Sequence, residues 1–86
     1  MKKIDFNAIE VENIDGSKGK FNIRKDFANA LYSNGKTLDV VELARKIWHS
    51  EEEVELTDEE VKIVEENVKQ FYPSYIIQTS IINAIK

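Results

Sequence analysis

A chain of 86 residues, 42% apolar and 33% charged, has enough apolar surface for one modest core, is too short for two, and is too apolar to stay unfolded. The absence of cysteine excludes disulfides and thiolate metal sites, and a single histidine excludes imidazole metal clusters. Net charge is −4 and unevenly spread: residues 1–36 carry seven bases and five acids, residues 37–66 three bases and eleven acids, residues 67–86 two bases. The acidic middle disfavours non-specific attraction to nucleic acid or anionic membrane, so no direct nucleic-acid binding is expected.

Met-Lys-Lys runs straight into Ile4-Asp5-Phe6-Asn7, without the apolar stretch and cleavage site of a secretory signal. No apolar run approaches the ~20 residues of a membrane span, and a cytoplasmic location is the expectation. Residues 3–12 place Ile4, Phe6 and Ala8 on one alternating set and Ile9 and Val11 on the other. The parity slips near Ala8-Ile9, which predicts one strand with a bulge that returns both sets to the same face. Asp15-Gly16-Ser17-Lys18-Gly19 is a turn, and Lys20 to Arg24 alternates as a second strand. A β-hairpin over about residues 3–25 follows, whose Phe6, Val11, Phe21 and Ile23 need helices to pack on.

Asp26 is expected to cap a short helix from Phe27 to Ser33 with Phe27, Ala30 and Leu31 on one side, stopped by Asn34-Gly35 in left-handed geometry. Thr37 or Asp39 caps a second helix, the Asp39–Glu42 spacing being that of a capping box. Val40, Leu43, Ala44, Ile47 and Trp48 recur at helical spacing, with Trp48 as the expected core anchor. Ser50-Glu51-Glu52-Glu53 breaks this pattern. Val54-Glu55-Leu56 then reads either as an extended segment lying against the hairpin or as a loop.

The strongest local signal is Leu56-Thr57-Asp58-Glu59-Glu60-Val61. Thr57 as N-cap and Glu60 three residues on form a capping box, Leu56 and Val61 a hydrophobic staple, and the acids face the positive end of the helix dipole. The third helix runs from Asp58 to about Phe71 with Val61, Val64, Val68 and Phe71 along one stripe. Tyr72-Pro73 closes it, and a fourth helix is predicted from Ser74 to Ile85. Ile76, Ile77, Ile81, Ile82 and Ile85 cover more than half of that helix's circumference. It is therefore either buried centrally or pressed against another chain. The fold class is α+β: one domain over residues 1–86, an N-terminal β-hairpin followed by about four helices.

Motifs that carry chemistry are weak throughout. Asp15-Gly16 sits where a calcium loop would need acids at Val11 and Asn22, and Gly16 to Lys20 lacks the lysine-serine pair of a phosphate cradle. His49 beside Glu51 to Glu53 can in principle hold a divalent ion or move a proton, but a lone histidine at a helix C-terminus is ordinarily a solvated cap. Ser17, Ser33, Ser50, Ser74 and Ser80 lie in no nucleophile-elbow context. No catalytic residue, metal site or cofactor is expected.

Two surfaces remain. The acidic run, represented by Glu51, Glu52, Glu53, Glu55 and Glu59, is either a solvated face or a docking face for a basic partner. The last helix and its entry, with Tyr72, Tyr75, Ile77, Ile81 and Ile82, are either core or a partner interface edged by tyrosines.

The order of the turn Asn13-Ile14-Asp15-Gly16, the segments Ala28-Asn29-Ala30-Leu31 and Leu43-Ala44-Arg45-Lys46-Ile47-Trp48, the lead Val54-Glu55-Leu56-Thr57-Asp58-Glu59-Glu60 and the Ile-rich C-terminus resembles that of small phage- and prophage-encoded proteins from virion structure and assembly regions. That resemblance implies a non-catalytic protein-interaction or assembly protein. Its partner would be another protein or further copies of itself, in the host cell or associated with the virion. The rival expectation is an acidic regulatory binder that occupies a basic or nucleic-acid-binding partner.

Overall fold

The computed structural model describes residues 1–85 and contains β1 (Lys2–Ile4), β2 (Ile9–Glu12), β3 (Lys18–Phe21), α1 (Arg24–Asn34), α2 (Leu38–Trp48), β4 (Val54–Leu56), α3 (Asp58–Phe71) and α4 (Tyr75–Ala84). The fold is α+β: an N-terminal hairpin region followed by four helices. β2 and β3 pair antiparallel, with Ile9 opposite Phe21 and Glu12 opposite Lys18. Their loop is closed by Asn13 N–H donating to the Ser17 carbonyl (2.7 Å) and Gly16 N–H to the Asn13 carbonyl (2.9 Å). Gly16 has φ of +87°, the left-handed geometry that a short hairpin loop requires and that glycine adopts without steric cost.

Residues 3–12 depart from the expected single bulged strand: they form two strands in two sheets. Asp5 makes the break, its carboxylate accepting from Asn7 N–H (2.9 Å) and its carbonyl from Ala8 N–H (3.3 Å). This turn consumes the residues between β1 and β2 and inverts the parity, so Ile4, Phe6, Ile9 and Val11 all point inward. The slip in alternation is real. Its cause is a change of sheet, which one extra residue in a ladder could not produce.

β1 pairs antiparallel with β4, Lys2 opposite Leu56 and Ile4 opposite Val54. Val54 to Leu56 is thus a strand whose partner is β1, not the hairpin, and a division into hairpin first and helices after is crossed by this pairing. Arg24 and Asn7 fasten the loop before it, both donating to the Ser50 carbonyl (2.9 and 3.2 Å).

The core is built on Phe27. Its ring stacks on Phe6 (centroids 5.3 Å apart), meets Phe71 edge-on and lies beside Tyr72, each at 6.2 Å. Leu31, Leu43, Ile47, Leu56, Val64, Val68 and Ile81 complete it. Two expected core residues lie further out. Trp48 is 39% exposed, because α2 turns Leu43, Ala44 and Ile47 inward and the indole lies over the seam where α1 and α2 meet through Ala28 and Ala44. Phe21 is 48% exposed, because the helix that covers the hairpin, α4, packs on β2 and leaves β3 as the outer strand.

The helix ends show which caps formed. α3 has the full box: Thr57 N–H donates to Glu60 Oε1 (2.9 Å) and Glu60 N–H to Thr57 Oγ1 (3.2 Å). α1 begins at Arg24, earlier than expected, with Ile23 as N-cap and Asp26 inside the first turn. Two contacts set that start: Asn22 Oδ1 accepts from Arg24 N–H (3.1 Å), and Ile23 N–H donates to the Phe6 carbonyl (2.9 Å). At α2 the cap is Thr37, without a side-chain bond among the described residues, and Asp39 lies in the first turn, so its spacing to Glu42 makes no box.

Gly35 is extended (φ −66°, ψ 125°), not left-handed. It serves by lacking a side chain: a Cβ there would lie 2.9 Å from the Leu31 carbonyl oxygen and 3.2 and 3.3 Å from Val40 and Val41. Gly35→Ala is therefore expected to destabilise by about 1–3 kcal/mol in urea unfolding, the usual cost of overpacking. Gly19→Ala, with no neighbour closer than 3.9 Å, should be tolerated.

Glu60 has a second partner, Lys46 Nζ at 3.1 Å, which ties α2 to α3. Burial disfavours its ionised carboxyl, but the bonds from Thr57 and Lys46 outweigh this and hold the pKa below the usual 4.5. A depressed carboxylate contributes stability above 4.5 and loses it as pH falls through the folded-state value. Glu60→Gln keeps an acceptor for Thr57 N–H but loses the charge. It should cost about 0.2–1 kcal/mol at pH 7, a difference from wild type that shrinks toward zero in urea titrations run at progressively lower pH below the usual glutamate value.

Candidate interaction surfaces

Three surfaces emerge, two of them on α4. From Tyr75 to Ala84 this helix contains no charged residue, in a chain where 33% of residues are charged. Three of its polar side chains turn back on the backbone: Thr79 donates to the Tyr75 carbonyl (2.9 Å), Ser80 to that of Ile76 (2.7 Å) and Gln78 to that of Tyr72 (2.6 Å). Such local bonds satisfy hydroxyls and amides without offering charge to solvent.

The five residues expected at a partner interface do not share one face. Ile81 is fully buried and is a core residue of the single chain, where no partner reaches it without unfolding. Ile77 is partly buried and packs on the core, as does Tyr72, whose phenol is pushed up in pKa by burial and then by the charge of Asp26. Ile82 is partly covered, and Tyr75 is 75% exposed. Ile76, one residue on, is 49% exposed. Periodicity alone showed α4 to be apolar over most of its circumference. Which part meets β2 was a tertiary decision.

The second surface is an open groove of about 840 Å³ beside α4. Glu52 and Glu53 line it together with Asp5, Glu10 and Glu12, against Lys18 and Lys20, and Ile76 and Ser80 form part of the α4 wall. Three of the five residues of the expected acidic face lie elsewhere: Glu51 is exposed in the loop outside the groove, Glu55 lies on β4 with Lys3 Nζ at 3.9 Å, and Glu59 is in the first turn of α3. The fold instead supplies Asp5, Glu10 and Glu12. The outward parity of Glu10 and Glu12 in β2 was a signal for them, but not for their nearness to Glu52 and Glu53. Lys18 Nζ meets Glu10 at 3.2 Å and partly neutralises the acid.

The third surface lies between α1 and α2. Ala28, Tyr32, Ala44 and Trp48 wall an apolar slot of about 190 Å³, with Asn29 and Arg45 at its rim. Lys25 Nζ stands 5.8 Å from the centroid of the Trp48 ring, a cation–π distance. Among the described residues neither Lys25 nor Arg45 has a carboxylate within 4 Å. Spacing carried a signal here as well: Lys25, Asn29 and Tyr32 follow at i, i+4, i+7 on α1, and Arg45 and Trp48 share a stripe of α2.

The hairpin tip is a further exposed apolar feature, besides Met1, Phe21 and Leu38. Ile14 is fully exposed, between Glu12 and Asp15. Hydrogen bonds from the Ser17 hydroxyl (2.6 Å) and N–H (2.9 Å) hold the Asp15 carboxyl below the usual carboxylate range. His49 is exposed at the end of α2 and lines neither groove nor slot. Among the described residues no group of three or more histidine and acidic side chains is placed to hold a metal ion, and no helix is long and apolar enough to cross a membrane. Comparison with protein-family models, curated proteins and solved structures finds no match to this chain.

Proposed function

We propose that this chain is a non-catalytic protein-interaction protein of the assembly type, acting in the cytoplasm of a host cell or on a virion, as its resemblance to small phage- and prophage-encoded proteins implies. The observation that carries the reading is α4: a surface helix without a single charge that presents Tyr75 and Ile76 to solvent. Depletion of charge and enrichment of aromatic side chains distinguish the centres of protein interfaces from other surface, and tyrosine contributes large area at small entropic cost. Burial of that face drives association that tolerates salt.

Sedimentation equilibrium at two salt concentrations tests this. The wild type should associate in both, and the association that remains at high salt should be weakened about tenfold or more by Tyr75→Glu without unfolding the chain, since Tyr75 contributes little to the core. A wild type that stays monomeric, or association that Tyr75→Glu leaves unchanged, overturns the α4 reading.

A second reading, an acidic binder of a basic partner, is favoured by one observation, the convergence of Asp5, Glu10, Glu12, Glu52 and Glu53 on one groove. It would make the partner's affinity steeply salt-dependent. Glu52→Lys combined with Glu53→Lys should then weaken capture of a lysine-rich probe peptide by about tenfold at low salt in fluorescence titration, with little effect in high salt. Equal binding by variant and wild type would dismiss it.

A further inference from the structure

We propose that the slot between α1 and α2 receives the Ile14 side chain from the hairpin tip of a second copy of this chain. The inference extends the assembly reading to a different surface. The tip and the slot are complementary in shape class and in charge. Ile14 is a branched aliphatic side chain standing wholly in solvent, at a turn position that polar residues or proline fill as well. Nothing in the loop's own hydrogen bonds, which run between Asn13, Asp15, Gly16 and Ser17, requires an isoleucine there. The slot, at about 190 Å³ and walled by Ala28, Tyr32, Ala44 and Trp48, has room for one such side chain.

Charge sets the occupant apart from other apolar groups. The cations beside the slot are Lys25 and Arg45, neither with a carboxylate within 4 Å among the described residues. The carboxylates beside Ile14 are Glu12 and Asp15, while the nearby lysine, Lys18, is already paired with Glu10. A tip that enters the slot therefore brings two acids to two cations around an apolar centre, the arrangement of a buried anchor with a charged rim. Ile14, being fully exposed, does not fill its own chain's slot, so the tip comes from another copy. Knob and slot are different patches, which makes the contact heterologous: each added copy leaves one knob and one slot open, and association continues with concentration unless a ring closes.

The experiment uses the full chain carrying Tyr75→Glu, so that the α4 face is silent, and measures sedimentation equilibrium at low and high salt. The expected result is association that persists in this background, weakens with salt, and falls by about tenfold or more on adding Ile14→Ser or Arg45→Glu, both at exposed positions. An equimolar mixture of the Ile14→Ser and Arg45→Glu chains should recover a one-to-one pair. The first still offers an intact slot and the second an intact knob, and misfolding cannot produce that recovery. If Tyr75→Glu alone abolishes all association, the knob-and-slot contact is overturned while the α4 reading stands. Association that neither Ile14→Ser nor Arg45→Glu alters also overturns it, as does a mixture that stays monomeric.

Discussion

The contact between Phe6 and Phe27 holds this fold together. Phe6 sits in the short link between two strands that belong to different sheets, and Phe27 is in the first turns of α1. Their rings stack at 5.3 Å, and the backbone seals the junction, Ile23 N–H donating to the Phe6 carbonyl. Aromatic pairs add about 0.5–1.5 kcal/mol beyond the area they bury. The larger consequence is geometric. With Phe6 on Phe27, the chain before it pairs with β4 and the chain after it enters the hairpin. Phe71 and Tyr72 then close over Phe27 from the end of α3, so one ring of the first helix meets both the N-terminal segment and the third helix.

From that centre the surfaces separate by chemistry. β4 returns from the helical part to pair with β1, which brings Glu52 and Glu53, just before β4, near Asp5 and the outward face of β2. α4 covers β2 and keeps its uncharged side partly in solvent. The α1–α2 hairpin, made close by Ala28 and Ala44 and turned tightly at Gly35, lifts Tyr32 and Trp48 onto its outer seam with Lys25 and Arg45 beside them. An acidic chain thus presents three chemically distinct faces: an uncharged one, an acidic one and a small aromatic one rimmed by cations.

Much of the local structure was legible because its causes are local. Thr57 and Glu60 satisfy each other's backbone amides across three residues, and that box formed as its spacing implied. Gly16 supplies positive φ within its own turn. The stripe Val64–Val68 needs only helical periodicity to point inward. The expectations that failed depended on distant residues. Asn34-Gly35 looked like a left-handed stop, but Gly35 is required by the approach of Val40 and Val41 across the interhelical turn. Trp48 looked like an anchor by size, yet the inward side of α2 was claimed by Ala44 and Ile47, whose smaller side chains let the helices close.

The α+β class, the hairpin turn, the four helices, the cap of α3 and the even-odd slip near Ala8 could be read from residue order, since each follows from turn chemistry, capping or periodicity within a few residues. Long-range packing alone revealed that the slip marks a change of sheet and that β4 pairs with β1 across about fifty residues of chain. It also decided which isoleucines of α4 are core and which acids share a groove. The physical reason is the same in each case. A strand's partner and a helix's buried side are chosen by the surface they pack against, and that surface exists only once the rest of the chain has folded.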